Sequence, residues 1–183
     1  MKTVVLPAGW REESQEVYYT SAPVAIAGRA EVEALKSAAR RNPRLRCRLC
    51  THPSPADGLH EMLIAHHRDA YFHPHLHRGR SVSFYLFDGE MSVVLFHDDG
   101  SIASVHDLAD ASRDGARPSY IRVPEATYYA FLVRSEFAVF FEVTRGPFDR
   151  GTTVWADWSP HETDPSSTTY TQDLRRRVAA ARA

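Results

Sequence analysis

Residues 71–90 read YFHPHLHRGRSVSFYLFDGE, a stretch that combines a histidine cluster with an alternating apolar pattern. His73, His75 and His77 lie two residues apart, and in a β-strand this spacing places all three imidazoles on one face. Neutral imidazole is the commonest protein ligand for zinc, copper, iron and nickel. The stretch is therefore the best candidate for a metal site in this sequence.

The end of the same stretch carries a turn signal. Asp88 and Gly89 separate the apolar runs 83–87 and 91–96, and Asp-Gly between two such runs is typical of a tight β-hairpin. From residue 45 to residue 142 the chain alternates short apolar segments with turn residues and shows little helical pattern. This organisation predicts an all-β protein with minor helices, either a sandwich or a barrel.

Two helical segments are expected beside the strands. In residues 29–41, Val32 and Leu35 recur at helical spacing among charged residues. Near the C-terminus, Asp173 is a candidate N-cap for a short helix with the sequence LRRRVAAARA. A helix of that length is marginal by itself, so we expect the residues beyond 161 to be loosely held.

Length and charge limit the classes of protein to consider. The chain has 183 residues, 43% of them hydrophobic, which is enough for one core and one domain. We expect an arm in residues 1–15, a barrel domain in residues 16–160, and a polar linker with a short helix in residues 161–183. The net charge of −1 gives no basic field for nucleic acid. Without a membrane-length apolar run or a signal-peptide pattern, we expect a cytoplasmic protein with no membrane contact.

The histidine stretch resembles the first sequence motif of the cupins, small β-barrels that usually hold one metal ion. Counting from His75, the pattern is His-x-His, four residues, position 82, six residues and Gly89. The chain is more closely similar to WbuC-type cupin-fold proteins, over most of its length from residue 16 to residue 150. The matching segments are VYYTSAPVAI, RNPRLRCRLCTHPSP, LHEMLIAHHRDAYFHPHLH, VVLFHDDG, YIRVPEATYYAFLVRSEFAVFFE and RGPFD. The resemblance implies a cupin-type jelly-roll β-barrel of the RmlC-like kind.

Several positions depart from what the resemblance implies for metal ligands. Val82 stands where a glutamate is expected, and Tyr85 stands where a further histidine is expected. The second motif reads PEATYY in residues 124–129, so that Tyr129 occupies the position of its histidine. Two of the four usual ligands remain, the histidines of the His-x-His pair.

A metal centre would need a third protein donor beside His75 and His77. His66 and His67 are adjacent, so in a strand only one of them faces the interior. An inward His67, or else His73, could supply the third nitrogen. The ion would be one divalent transition metal, namely zinc, iron, copper or nickel.

The alternative is that no metal binds and the same residues handle protons. Histidine exchanges protons near neutral pH, and tyrosine acts as a general acid or holds an oxyanion. In this interpretation Tyr129, Tyr85 and His75 are the catalytic residues. The exchange of two ligands for tyrosine and valine makes the interior more aromatic, which suits a hydrophobic small molecule.

The two cysteines, Cys47 and Cys50, form a Cys-x-x-Cys pair, which is a redox couple in some proteins and half of a zinc site in others. No second cysteine pair and no thioredoxin-like context accompany them. We interpret them as two cysteines at the start of a strand, one of them packed inward. A mixed cysteine–histidine metal site is the less favoured alternative.

Two functions from different classes remain open. The first is a cupin-fold enzyme of small-molecule metabolism, such as a specialised biosynthetic pathway, that acts on a compound inside the barrel. The alternative is a non-catalytic, degenerate cupin that binds a small ligand or serves as a dimeric partner protein. In either case we expect a homodimer, because segments 17–19 and 24–26 offer apolar edges that would otherwise be exposed.

Overall fold

A computed structural model describes residues 9–113 and 115–182, and strands dominate this part of the chain. The two α-helices of the described residues are α1 (Arg29–Arg41) and α2 (Ser167–Ala180), and Arg150–Thr152 form one turn of 3-10 helix. The ten strands of the described residues are β1 (Trp10–Ser14), β2 (Val17–Thr20), β3 (Arg46–Cys50), β4 (Leu59–His67), β5 (His75–His77), β6 (Val82–Phe96), β7 (Ile102–Ala109), β8 (Tyr120–Val123), β9 (Tyr128–Arg145) and β10 (Thr153–Trp155). No helix within the described residues is both long and apolar enough to cross a membrane.

The two longest strands, β6 and β9, run antiparallel to each other over almost their whole length. Both bend where the register shifts, so that each belongs to two sheets. One sheet has the order β1-β2-β3-β4-β9-β6-β8 and the other β7-β6-β9-β5-β10. This two-layer arrangement confirms the predicted all-β fold of the cupin jelly-roll type, although the strand order ends at β1 and β10 and does not close into a complete barrel.

The hairpin predicted at Asp88-Gly89 is wrong, because both residues lie inside the continuous strand β6. They fall at the bulges where β6 changes register against β9. Gly89 has a φ of 97°, and a Cβ atom there would lie 2.2 Å from the carbonyl oxygen of Phe137. The turn-forming dipeptide therefore bends one long strand instead of connecting two short ones.

The main core lies between the two layers. Val82, Phe84 and Leu86 alternate inward along β6 and are almost completely buried. The ring of Phe84 contacts Phe131 and Phe140 of β9 at centroid distances of 4.8 and 5.7 Å. Burial of each such ring contributes about 1.5–3 kcal/mol, so this cluster holds the inner faces of the two sheets together.

Helix α1 spans the residues predicted for it and covers the outer face of β3 and β4. Val32 and Leu35 pack there against Cys47 and Leu49. Along β3, Cys47 faces this helix, whereas Cys50 faces the main core. A spacing of three residues places the two thiols on opposite faces of a strand, so they do not share a redox or metal site.

The N-terminal strands are integrated into the first sheet, since β1 pairs with β2 and β2 pairs with β3. Residues 1–8 of the expected arm lie outside the described residues. Tyr18 and Tyr19 are buried within their own chain, so the expectation that this segment is an exposed edge is wrong. Val24 and Ile26 are exposed, and a homodimer formed through them stays a prediction.

The expectation that the residues beyond 161 are loosely held is also wrong. Helix α2 begins at Ser167, so that Asp173 lies within it rather than at its N-cap. Leu174 and Val178 are buried against Phe96 and its neighbours on the second sheet. Tertiary packing of these two side chains stabilises a helix that its length alone would leave marginal.

Replacing Leu174 by alanine should lower the free energy of unfolding by about 2–4 kcal/mol, because it leaves a cavity beneath α2. Arg176→Ala, on the exposed side of the same helix, is the matched control and should change stability by less than about 0.5 kcal/mol. Urea unfolding followed by tryptophan fluorescence measures both. Equal unfolding midpoints for the two variants would contradict the docking of α2.

Candidate functional site

Strand β5 places His75 beside Tyr129, a residue 54 positions later in the chain. His75 pairs with Tyr129 of β9 on one side and with Trp155 of β10 on the other. His75 and Tyr129 are buried, whereas His77 is half-buried and Trp155 is 54% exposed. The short strand thus holds both imidazoles beside the Tyr129 hydroxyl at one end of the interior.

The Tyr129 hydroxyl lies within hydrogen-bond distance of both imidazoles. Its oxygen is 3.2 Å from His75 Nε2 and 3.3 Å from His77 Nε2. Burial lowers the pKa of His75 to about 4 and that of His77 to about 3, and it raises the pKa of Tyr129 well above its usual value. All three groups are therefore uncharged at neutral pH.

The hydrogen bond at Nδ1 identifies the tautomer of His75. His75 Nδ1 lies 2.9 Å from the backbone carbonyl oxygen of His73, which can only accept a hydrogen bond. Nδ1 therefore carries the proton, and a neutral imidazole carries only one. His75 Nε2 is left as a lone pair, which accepts a hydrogen bond from the Tyr129 hydroxyl.

His77 takes the opposite tautomer. Arg80 Nη2 lies 3.2 Å from His77 Nδ1, and a guanidinium group can only donate. His77 Nδ1 must accept, so the proton is on Nε2, which donates to the Tyr129 oxygen. The hydroxyl of Thr153, 3.1 Å from the same Nδ1, can donate there as well.

These assignments give one directed hydrogen-bond chain, which we call the His–Tyr chain. It runs from Arg80 through His77 to Tyr129, then to His75 and the carbonyl oxygen of His73. Each donor in this chain faces one acceptor. Tyr129 is thus the point at which an imidazole N–H and an imidazole lone pair converge.

The two histidines proposed as a third metal ligand lie elsewhere. His73 turns away from the His–Tyr chain, with its Nε2 3.3 Å from the carbonyl oxygen of Ala156 and its ring stacked on Trp155. His67 lies on the outer side of β4, where its ring packs against Phe137 and its Nδ1 is 3.5 Å from Asp69. Neither side chain can join His75 and His77 around one ion.

His66, and not His67, faces the interior. Its ring packs among Phe72, Phe131 and Phe140, and burial lowers its pKa to about 4. The ring of Phe72 contacts both His66 and His75 and separates them. His66 therefore belongs to the apolar core and not to the His–Tyr chain.

The donor set does not fit a resident metal ion. Among the described residues, no three His, Cys, Asp or Glu side chains lie close enough to hold one. Val82, at the position expected for a glutamate ligand, is a core side chain without a donor atom. The lone pairs of His75 Nε2 and His77 Nδ1 are both used in hydrogen bonds, and burial keeps Tyr129 protonated. We therefore assign no metal to this site.

Tyr85, one of the three candidate catalytic residues, lies on the outer face of the first sheet and not in the interior with His75 and Tyr129. It is 42% exposed and its ring lies 6.0 Å from that of Phe87. Because side chains alternate along a strand, the inward position of Phe84 turns Tyr85 outward. Tyr85 is thus removed from the candidate catalytic residues.

Sequence reasoning missed two charged residues beside the site, Arg80 and Glu142. Glu142 pairs in register with Met62 and Phe84, two residues of the main core, so its side chain faces inward. Burial raises the pKa of Glu142 to about 7, while Arg48 and Arg80 oppose this shift. The alternation along β9 could have placed Glu142 inward, since Phe140 precedes it by two residues. No comparable pattern marks Arg80, which lies in a loop.

Fold and site together define an all-β protein of the cupin type with a histidine–tyrosine cluster at one end of its interior. A family model described as "Domain of unknown function (DUF6016)" matches residues 28–108, which is less than half of the chain. No curated protein sequence matches this chain.

Three solved structures illustrate the likeness. Oxalate decarboxylase of Bacillus subtilis is 18% identical, with 54% of this chain and 24% of that chain covered and a TM-score of 0.44. KdgF from Halomonas sp. is 16% identical, with 58% and 82% covered and a TM-score of 0.43. Streptomyces PAC13 with uridine is 12% identical, with 57% and 70% covered and a TM-score of 0.41. This chain thus matches about a quarter of the length of oxalate decarboxylase, and the function proposed below rests on its own residues.

The two tautomers can be measured directly by NMR of protein labelled with nitrogen-15 in its histidine rings. At pH 7, His75 should carry its proton on Nδ1, because that atom faces the carbonyl oxygen of His73. His77 should carry its proton on Nε2, because its Nδ1 faces the guanidinium group of Arg80. Both rings should stay neutral down to about pH 5, given their lowered pKa values. The same tautomer in both rings would contradict the direction of the His–Tyr chain.

Glu142→Gln should stabilise the protein at pH 8 but not at pH 4. Because the pKa of Glu142 is raised above its unfolded value of about 4.3, the native state binds more protons between these values, and stability falls as pH rises toward 7. The amide removes this cost, which we expect to be about 1–3 kcal/mol above pH 7. Thermal unfolding at both pH values measures it.

Glu125→Gln, at an exposed position, makes the same change of charge and serves as the control. It should show no such dependence on pH. A Glu142→Gln variant that is stabilised equally at pH 4 and pH 8 would show that the carboxyl group is not the source of the effect.

Proposed function

We propose that this protein, which resembles the WbuC-type cupin-fold proteins, is an enzyme of small-molecule metabolism that transfers protons to and from its substrate. The observation that carries the proposal is the position of the Tyr129 hydroxyl, 3.2 and 3.3 Å from the inner nitrogens of His75 and His77. A hydroxyl between an imidazole lone pair and an imidazole N–H is suited to general acid–base catalysis.

The chemistry supported best is proton transfer next to a carbonyl group. Tyr129 would donate its proton to the carbonyl oxygen, which releases His75 Nε2 from its hydrogen bond. The freed lone pair of His75 would then accept the proton from the adjacent carbon, and an enol forms. The resulting phenolate and imidazolium lie next to each other and stabilise each other by opposite charge.

The resting state is restored by one further transfer. The proton on His75 Nε2 crosses 3.2 Å to the Tyr129 oxygen, while the N–H of His77 holds that oxygen in place. The phenolate and the imidazolium form and disappear as a pair, so the site gains no net charge in an interior where burial opposes ionisation of all three groups. Isomerisation or epimerisation of a small carbonyl compound requires steps of this kind.

The substrate would approach from the side of His77. His77 and Arg80 are half-buried and Trp155 is 54% exposed, whereas Tyr129 and Phe84 are buried on the core side. The indole ring of Trp155 packs against His75 at a centroid distance of 5.0 Å. This exposed ring offers a flat apolar surface to a ligand beside the catalytic groups.

The second candidate function is a non-catalytic binding protein. The substitution of Val82 for an expected ligand favours it, because a site that has lost its metal donors can still bind a small molecule. The proton-transfer enzyme remains our proposal, since mere binding does not require a hydroxyl held between two imidazoles of opposite tautomer.

Tyr129→Phe should reduce activity at least 100-fold, because it removes the hydroxyl and keeps the ring that packs against Phe72 and Phe84. Activity is measured as deuterium incorporation into a mixture of small metabolites in heavy water, read by mass spectrometry. Tyr85→Phe removes an exposed hydroxyl and is the matched control. It should retain wild-type incorporation.

Equal incorporation by wild type and Tyr129→Phe would contradict the proposed role of Tyr129. If the wild type incorporates no deuterium but is stabilised against heat by a metabolite, the binding protein is the correct interpretation. Circular dichroism verifies that Tyr129→Phe is folded, since the substitution leaves the N–H of His77 without its acceptor at a cost of about 1–3 kcal/mol.

A further inference from the structure

Arg80 donates the first hydrogen bond of the His–Tyr chain, and part of its own hydrogen-bonding capacity is unused. Its Nη2 donates to His77, but its Nε is buried without a hydrogen-bond partner among the described residues. It forms no ion pair within that part of the chain. By contrast, Arg44 and Arg46 both pair with Glu162, and Arg134 lies 3.0 Å from Asp107.

The nearby acid does not neutralise Arg80. Glu142 faces the same interior and is close enough for Arg80 to influence its pKa, yet the two form no ion pair. Because burial raises that pKa to about 7, Glu142 is only partly ionised at neutral pH. Burial dominates the pKa shifts of His75, His77 and Tyr129, and the positive charge of Arg80 makes a smaller, lowering contribution to all three pKa values, which shows that the guanidinium lies near them.

An uncompensated guanidinium next to buried neutral groups costs stability unless another group balances it. Its planar N–H groups match the two oxygens of a carboxylate or phosphate better than any other ligand. The loop position of Arg80, between β5 and β6, keeps the side chain half-buried at the side from which a substrate would enter.

We propose that Arg80 binds an anionic group, carboxylate or phosphate, of the molecule on which Tyr129 acts. The proposal rests on the proposed function and gives its substrate class: a small carbonyl compound that bears an anionic group near the reacting carbon. Bound at Arg80, the anion places the rest of the molecule beside His77 and Tyr129. Glu142, in its protonated form, can donate a hydrogen bond to a further oxygen of the same molecule.

Arg80 also holds the tautomer of His77, and a test has to separate the two roles. Glutamine at position 80 keeps an N–H donor for His77 Nδ1 but removes the charge and the two-pronged guanidinium. Arg78→Gln is the matched control, because Arg78 is exposed and lies in the same loop, and because its replacement by glutamine removes the same charge.

The experiment titrates wild-type protein, labelled with nitrogen-15 in its histidine rings, with sodium acetate and with sodium phosphate at constant ionic strength. The ring signals of His77 should shift and saturate at millimolar anion. Whichever anion saturates at the lower concentration identifies the substrate's group as carboxylate or phosphate. Arg80→Gln should weaken this binding at least tenfold while it keeps the Nε2–H tautomer, and Arg78→Gln should behave as wild type.

The proposal is overturned if neither anion shifts His77 in the wild type, or if Arg80→Gln titrates like the wild type. It is equally overturned if Arg78→Gln loses binding to the same extent as Arg80→Gln, since a general surface charge would then explain the effect. Tyr129→Phe should still bind the anion. Saturable binding at Arg80 in a protein that incorporates no deuterium would therefore disprove the proton-transfer function and keep Arg80 as the anion site.

Discussion

The antiparallel pairing of β6 with β9 is the constraint on which the rest of the structure depends. The two strands keep their register from Val82↔Thr144 to Phe96↔Tyr128, interrupted only by bulges. Because both strands bend at those bulges, each strand contributes one half of its length to the first sheet and the other half to the second. The two layers therefore need no separate connection. The inward side chains of their two halves face each other, and they form most of the core.

The same pairing determines where the polar site can form. Tyr129 lies at the start of β9 and Glu142 near its end, yet the bend of the strand turns both toward one interior. The short strand β5 completes the site, since it adds to the β9 edge at a single register position, His75↔Tyr129. A polar cluster inside an apolar core is stable only when its hydrogen bonds are satisfied, and the opposite tautomers of His75 and His77 achieve this around one hydroxyl.

Much of the fold could be read from local patterns. The succession of short apolar segments and turn residues predicted the all-β class, and the helical spacing of Val32 and Leu35 predicted α1 at its observed bounds. Errors arose where a local signal has two structural uses. The Asp88-Gly89 dipeptide is compatible with a turn or with a bulge. A bulge forms here because β9 pairs with β6 on both sides of the dipeptide. Similarly, the polar sequence before α2 gave no sign that Leu174 and Val178 would find an apolar surface on the second sheet.

By itself, the sequence determined that His75 and His77 share one face, because alternation along a strand is a property of the backbone. Alternation would also have turned Tyr85 outward from the inward Phe84 and Glu142 inward after Phe140. Only the tertiary structure decided that Arg80 donates to His77 and that Tyr129 lies between the two imidazoles. Tyr129 comes from a separate segment of the chain, more than 50 residues after the histidines. Arg80 is only three residues from His77, but the direction of its hydrogen bond depends on atomic positions in the loop that the spacing does not contain. The physical reason is that a tautomer is selected by the partner across the gap and not by the residue itself.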